Sequence, residues 1–171
     1  MIGPAYAQCM ARYNAWQNQW MFQACDGLSD AQRAEDRGLF WTSIEGTLSH
    51  AFWGDMIWIS RFDGGPGPDA PLTETATAYD WRTLMAERPK LDARIAAWAW
   101  GADASDFDGD LTWYSMGAGR EITKPRALCA VQLFNHQTHH RGQVHAALTQ
   151  LGVKTTDTDL PFMPDEVPEW V

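Results

Sequence analysis

The chain has 171 residues, 45% of them hydrophobic and 20% charged, with a formal net charge of -9 at pH 7. That length and composition suit one globular domain over residues 1–171 with a sizeable core. An acidic chain without a basic stripe is expected to bind neither nucleic acid, whose phosphates demand cations, nor an anionic membrane.

Three cysteines, Cys9, Cys25 and Cys129, are odd in number, widely spaced and form no CxxC pair, so they read as reduced core thiols of a cytoplasmic protein. The first residues carry no basic segment followed by an apolar one, as a signal peptide would, and no run approaches the length of a membrane span.

In residues 4–25, Tyr6, Met10, Tyr13, Trp16, Gln17 and Trp20 recur at spacings of three and four, which predicts a first long helix stopped by Gly27. Ser29 followed three positions later by Gln32 is a capping-box pattern and predicts a short helix. Residues 42–62 are apolar nearly all round, as befits a second long helix packed on several sides. It carries His50, and on the same face Ser43, Thr47, Gly54, Ile57 and Arg61 form a stripe of mostly small or polar groups that predicts a groove beside that histidine. Asp55 lies about 140° from His50 and reads as half of a buried ion pair or a cap partner rather than as a ligand.

Residues 63–71 are a loop by composition. A third long helix is predicted over residues 78–100, with Trp81, Leu84, Met85, Leu91, Ile95 and Trp98 as apolar positions and Pro89 expected to kink or break it. The helical period is lost from 101 to 124, where residues 111–116 and 120–123 around Gly117-Ala118-Gly119 predict a short hairpin. The sparse basic group Arg120, Lys124 and Arg126 is expected on a solvated loop. Pro125 suits the first turn of a fourth long helix that ends near Leu151 before Gly152. Residues 153–171, with three prolines and five acidic residues, are expected to pack as a tail on the surface. The fold class is therefore all-α, a four-helix bundle with a short hairpin or loop excursion between the third and fourth long helices.

Four of the five histidines fall within residues 133–151. His136 and His140 stand about 40° apart on a helix, one turn above the other, so their imidazoles can converge on one point. The apolar side chains Leu133, Val144, Ala147, Leu148 and Leu151 lie roughly 20° to 120° round from His136, which places the pair at the edge of the buried face. His139 and His145 point elsewhere and are expected at the rim or surface. A bundle can bring His50 opposite the pair, and three neutral imidazoles with an open position make a catalytic rather than a structural site. A divalent ion there, with Zn, Ni, Cu and Fe all suited to imidazole, lowers the pKa of a bound water or thiol towards neutrality. No side chain is assigned as the nucleophile. Gln137, Arg141 and Gln143 lie near the ligands, and a structural role through hydrogen bonds is the reading for Arg141 and Gln143, with that of Gln137 left open. Most of the ten tryptophans are read as core, the remainder as the wall of an apolar pocket for a small-molecule substrate.

The run Asn135-His-Gln-Thr-His-His-Arg-Gly-Gln143, with Ser43-Ile44 and Thr47-Leu48-Ser49-His50 upstream and Thr158-Asp159-Leu160-Pro161 downstream, resembles the DinB family within the wider DinB/YfiT-like superfamily. Tyr13-Asn14-Ala15-Trp16 and the segment from Asp55 to Arg61 also look like its pattern. The resemblance implies a four-helix bundle, usually a homodimer, with a divalent metal held by His50, His136 and His140. It also implies kinship with thiol S-transferases that use bacillithiol or mycothiol and with a mycothiol-dependent maleylpyruvate isomerase. A low-molecular-weight thiol is then the expected cosubstrate, with metal-dependent hydrolysis or a non-enzymatic, metal-stabilised interaction protein as the alternatives.

Overall fold

A computed structural model describes residues 2–166. These residues are mostly helical, with five α-helices and one two-stranded antiparallel sheet among them. Helix α1 (Pro4–Asp26) begins on a proline, whose missing N–H is an unbonded position at a helix start anyway. Helix α2 (Asp30–Ala34) has the predicted capping box: Gln32 N donates to Ser29 Oγ at 3.3 Å, and Ser29 N donates to Gln32 Oε1 at 3.0 Å. Helix α3 (Ile44–Asp63) starts two residues later than the pattern predicts. Thr42 is held at φ 62 immediately before the capping Ser43, a left-handed conformation rare for a β-branched residue.

Helix α4 (Trp81–Gly101) is capped by Asp80, which accepts from Thr83 N at 2.8 Å, and it runs without a break through Pro89. Of the expected kink or break the break is absent: Leu84, Arg88, Leu91 and Asp92, on either side of the proline, are all buried and hold both halves against the core. Strands β1 (Asp110–Ser115) and β2 (Arg120–Pro125) form the predicted hairpin, with Trp113 opposite Ile122 and Gly119 at φ 64 in the turn. Helix α5 (Arg126–Gln150) follows directly. The basic group is thus not on a loop. Arg120 and Lys124 are exposed on β2, and Arg126 opens α5 with its Nε donating to Asp106 O at 2.9 Å. Nor are all three thiols core thiols: Cys25 and Cys129 are buried, whereas Cys9 is exposed on α1.

Helix α1 packs against α4 and α5, and α3 packs against the same two, so the four long helices close a ring of contacts. Met21, Phe22, Ile44, Ile59, Leu84, Ile95, Leu133, Phe134 and Leu148 fill its centre. Set into this apolar core is a chain of polar groups. Arg88 donates through Nη1 to Asp55 Oδ2 at 2.8 Å and through Nη2 to Asp92 Oδ1 at 2.7 Å, and Asn18 Nδ2 reaches the same Asp92 oxygen at 3.0 Å. The buried Arg141 guanidinium donates to Asn14 Oδ1. Asp55 therefore takes the ion-pair role expected of it, and the network ties α1, α3, α4 and α5 into one register.

Past α5 the chain returns along α1. Tyr13 Oη donates to Thr158 O at 2.7 Å, Gln17 Nε2 to Asp157 O at 3.0 Å and Arg12 Nη2 to Pro164 O at 2.9 Å. The last part of the expected tail, residues 167–171, lies outside the described residues. No helix among the described residues is long and apolar enough to cross a membrane.

Candidate metal centre

His50 on α3 faces His136 and His140 on α5. Its Nε2 lies 3.1 Å from His136 Nε2, and His140 Nε2 lies 3.2 Å from the same atom. Ligand nitrogens bound tetrahedrally at the usual zinc distance stand about 3.3 Å apart, so the spacing is that of a metal set. These histidines are the group among the described residues whose ligand atoms gather within 4.8 Å, and no carboxylate or thiol joins them.

Two of the three rings are oriented by a hydrogen bond at their far side, to His140 Nδ1 and His50 Nδ1, whereas His136 Nδ1 is buried without a partner among the described residues. His140 Nδ1 lies 2.9 Å from Gln143 Oε1, an acceptor, so Nδ1 carries the proton and Nε2 presents its lone pair. His50 Nδ1 lies 2.9 Å from the Thr75 hydroxyl, which leaves its Nε2 directed at the same point. A single proton on His136 Nε2 can satisfy only one of these two neighbours, whereas a cation satisfies all three nitrogens. The donor set thus fits a divalent ion.

Electrostatics favour the metal-binding form. Burial pushes His50 down to about 3, helped by the nearby His136 and His140. Burial pushes His136 down to about 4, with His139 adding to the shift. His140 is also pushed down to about 4, by burial and by His136, against the upward pull of its Gln143 hydrogen bond. All three are neutral at pH 7.

The DinB family model matches residues 1–169. The chain belongs to the DinB family. It is similar to Protein DinB of Bacillus subtilis (strain 168), 26% identical over 159 residues that cover 90% of this chain and 91% of that protein.

The histidine cluster of this DinB-family chain is thus positioned to bind a metal ion. His139 is exposed and His145 half-buried, the latter edge-on to Trp20 with ring centroids 6.0 Å apart. At Gly54 the groove expected beside His50 is filled by the His136 imidazole, whereas Ile57 and Arg61 of the same stripe line an open cavity. A Cβ placed on Gly54 would meet His136 Cε1 at 2.6 Å and Nδ1 at 2.9 Å. The small residue of the α3 stripe makes room for a ligand ring. Gly54→Ala is therefore expected to push His136 off the convergence point, lowering stability by about 1–3 kcal/mol and metal affinity by about tenfold or more. Thermal melts and a zinc titration check both.

Two neighbours of the site were not legible in the pattern. Trp41 stacks on His50 with centroids 4.1 Å apart and planes at 24°, and Thr75, fully buried, orients its Nδ1. Both come from loops, where neither helical nor strand periodicity applies. The only hint of Trp41 is an aromatic pair, Phe40-Trp41, just ahead of the α3 cap. Gln137, beside the ligands, donates from Nε2 to Ala51 O at 2.8 Å, joining α5 to α3 one residue from both His136 and His50.

Proposed function

We propose that this chain is a single-domain four-helix bundle that binds one divalent ion through His50, His136 and His140. In this reading it uses the ion to activate a low-molecular-weight thiol for transfer to a small electrophile in the cytoplasm. The observation that carries this reading is the convergence of three neutral Nε2 atoms with no fourth protein ligand among the described residues. Such a set keeps the full charge of the ion and leaves a coordination position for a reactant. When bound, the ion supplies Lewis acidity that brings a thiol towards its thiolate at neutral pH.

The protein's own contribution is orientation and shielding. Thr75 and Gln143 hold two of the rings, Gly54 admits the third, and Trp41 covers one face of His50. Arg88 and its carboxylates hold α3 and α4 in register, and Gln137 holds α5 to α3. The chain is further proposed to be a homodimer, which a monomer in sedimentation at micromolar concentration overturns.

Elemental analysis of the wild type beside His136→Ala, followed by a thiol-transfer assay on the metal-loaded protein, tests the reading. About one ion per chain, lost in the variant together with turnover, is the expected result. Turnover that survives chelation overturns it, and turnover that needs metal but no thiol replaces transfer by hydrolysis.

A further inference from the structure

Arg61 is a half-buried cation that the histidine site does not use. On α3 its guanidinium lies 4.4 Å from the centroid of Trp58 and 4.9 Å from that of Trp113 on β1. The two indoles meet edge to face at 5.4 Å and 70°. It makes no hydrogen bond or ion pair with any described residue. Asp110, which with Arg61 acts on the Cys129 thiol, makes no ion pair with it. Burial pushes Arg61 below its ordinary value with no carboxylate to offset the shift. The fully buried Arg88, by contrast, spends its charge on two carboxylates. Arg61 lines a cavity of about 370 Å³ together with Trp53, Ile57, Trp58, Trp113 and Tyr114 and with residues of the 68–72 segment.

A cation stacked between aromatic faces, unpaired and open to an apolar cavity, is matched by one kind of small molecule. We propose that this cavity binds an organic anion with a flat apolar body, its carboxylate on Arg61 and its body against Trp58 and Trp113. Arg61 lies seven residues beyond Gly54, about 10 Å along α3 at 1.5 Å per residue, and Gly54 adjoins the His136 ring. None of the three histidines lines this cavity, so only a ligand that extends about 10 Å along α3 from Arg61 would reach them. That it is the substrate rests on the metal-dependent reading above; that it binds does not.

The test is calorimetric titration of the metal-free chain, held in chelator, with 4-phenylbutyrate and indole-3-propionate and with the corresponding neutral amides. The acids are expected to bind about tenfold or more tightly than the amides, the discrimination of a charged hydrogen bond. Arg61→Met should abolish that difference, Arg61→Lys should restore part of it, and Trp113→Ala should weaken acid and amide alike. Equal binding of acid and amide, unchanged acid affinity in a folded Arg61→Met chain, or no heat from any of the four probes at millimolar concentration overturns the proposal. Failure here with metal uptake intact removes the anion site alone. Metal uptake lost with anion binding intact removes the metal reading alone.

Discussion

Arg88→Met is expected to destabilise the chain by about 3–5 kcal/mol, because it strips the cation from two carboxylates that have no access to water. Arg88 is 1% exposed, Asp55 0% and Asp92 3%. Burial already pushes both carboxyls above their ordinary range, and the guanidinium is the largest influence pulling them down. Without it, Asp92 keeps only its hydrogen bonds from Asn18 and Asn14. Asp55 keeps Gln137 and the more distant charge of Arg141. Without the cation both acids should hold their protons still more strongly in the folded chain, so the variant should lose more stability than the wild type as pH rises. Urea unfolding at pH 5.5 and pH 8 reads both effects. The triple variant Arg88→Met with Asp55→Asn and Asp92→Asn removes charge on both sides and should recover part of the loss. A single variant within about 1 kcal/mol of wild type would mean that these carboxylates reach solvent.

Much of this arrangement was legible in the sequence, and what was not has a common cause. Periodicity gives the long helices because one face of each must be apolar, and it gives His136 and His140 because spacing alone sets them one turn apart. Ser29 with Gln32, and the glycine-rich turn before Arg120, are local signals whose partners lie within a few residues. The misses are contacts between distant segments. Asp55 could be called half of an ion pair, but nothing along the chain names Arg88 as the other half, or Asn14, Asn18 and Arg141 as neighbours. The stripe on α3 reads as open space, which holds at Ile57 and Arg61 but not at Gly54, where the ring that fills it comes from α5. Pro89 was weighed by its local cost, while the buried side chains flanking it decide the outcome. Trp41 and Thr75 sit on loops, where position in sequence carries almost no information about position in space.

Zinc affinity is expected to change by less than about twofold between pH 7 and pH 5, whereas three imidazoles with the ordinary pKa of about 6.5 would lose on the order of ten-thousandfold to proton competition. The difference lies in the folded chain, where His50 titrates at about 3 and His136 and His140 at about 4, so protons do not compete for the site until well below pH 5. The same lowered values act in the opposite sense on the metal-free fold. Between pH 6.5 and 4 the unfolded chain takes up protons on these three rings that the folded chain refuses, so stability without metal should fall through that window and stay flat above it. Adding metal at a thousandfold excess over its dissociation constant should return about 4 kcal/mol. Competition against a chromogenic chelator at pH 7 and pH 5, with melts in chelator and in zinc at both, reads all of these. A steep loss of affinity by pH 5 would show that the rings are open to water and the cluster not preorganised. Metal that raises the melting temperature but supports no thiol or ester chemistry would make the ion a tie between α3 and α5. Metal that changes the melting temperature little while supporting turnover would place its role in the reaction, because a ring of helices already registered by Arg88, Asp55 and Asp92 does not need an ion to hold it.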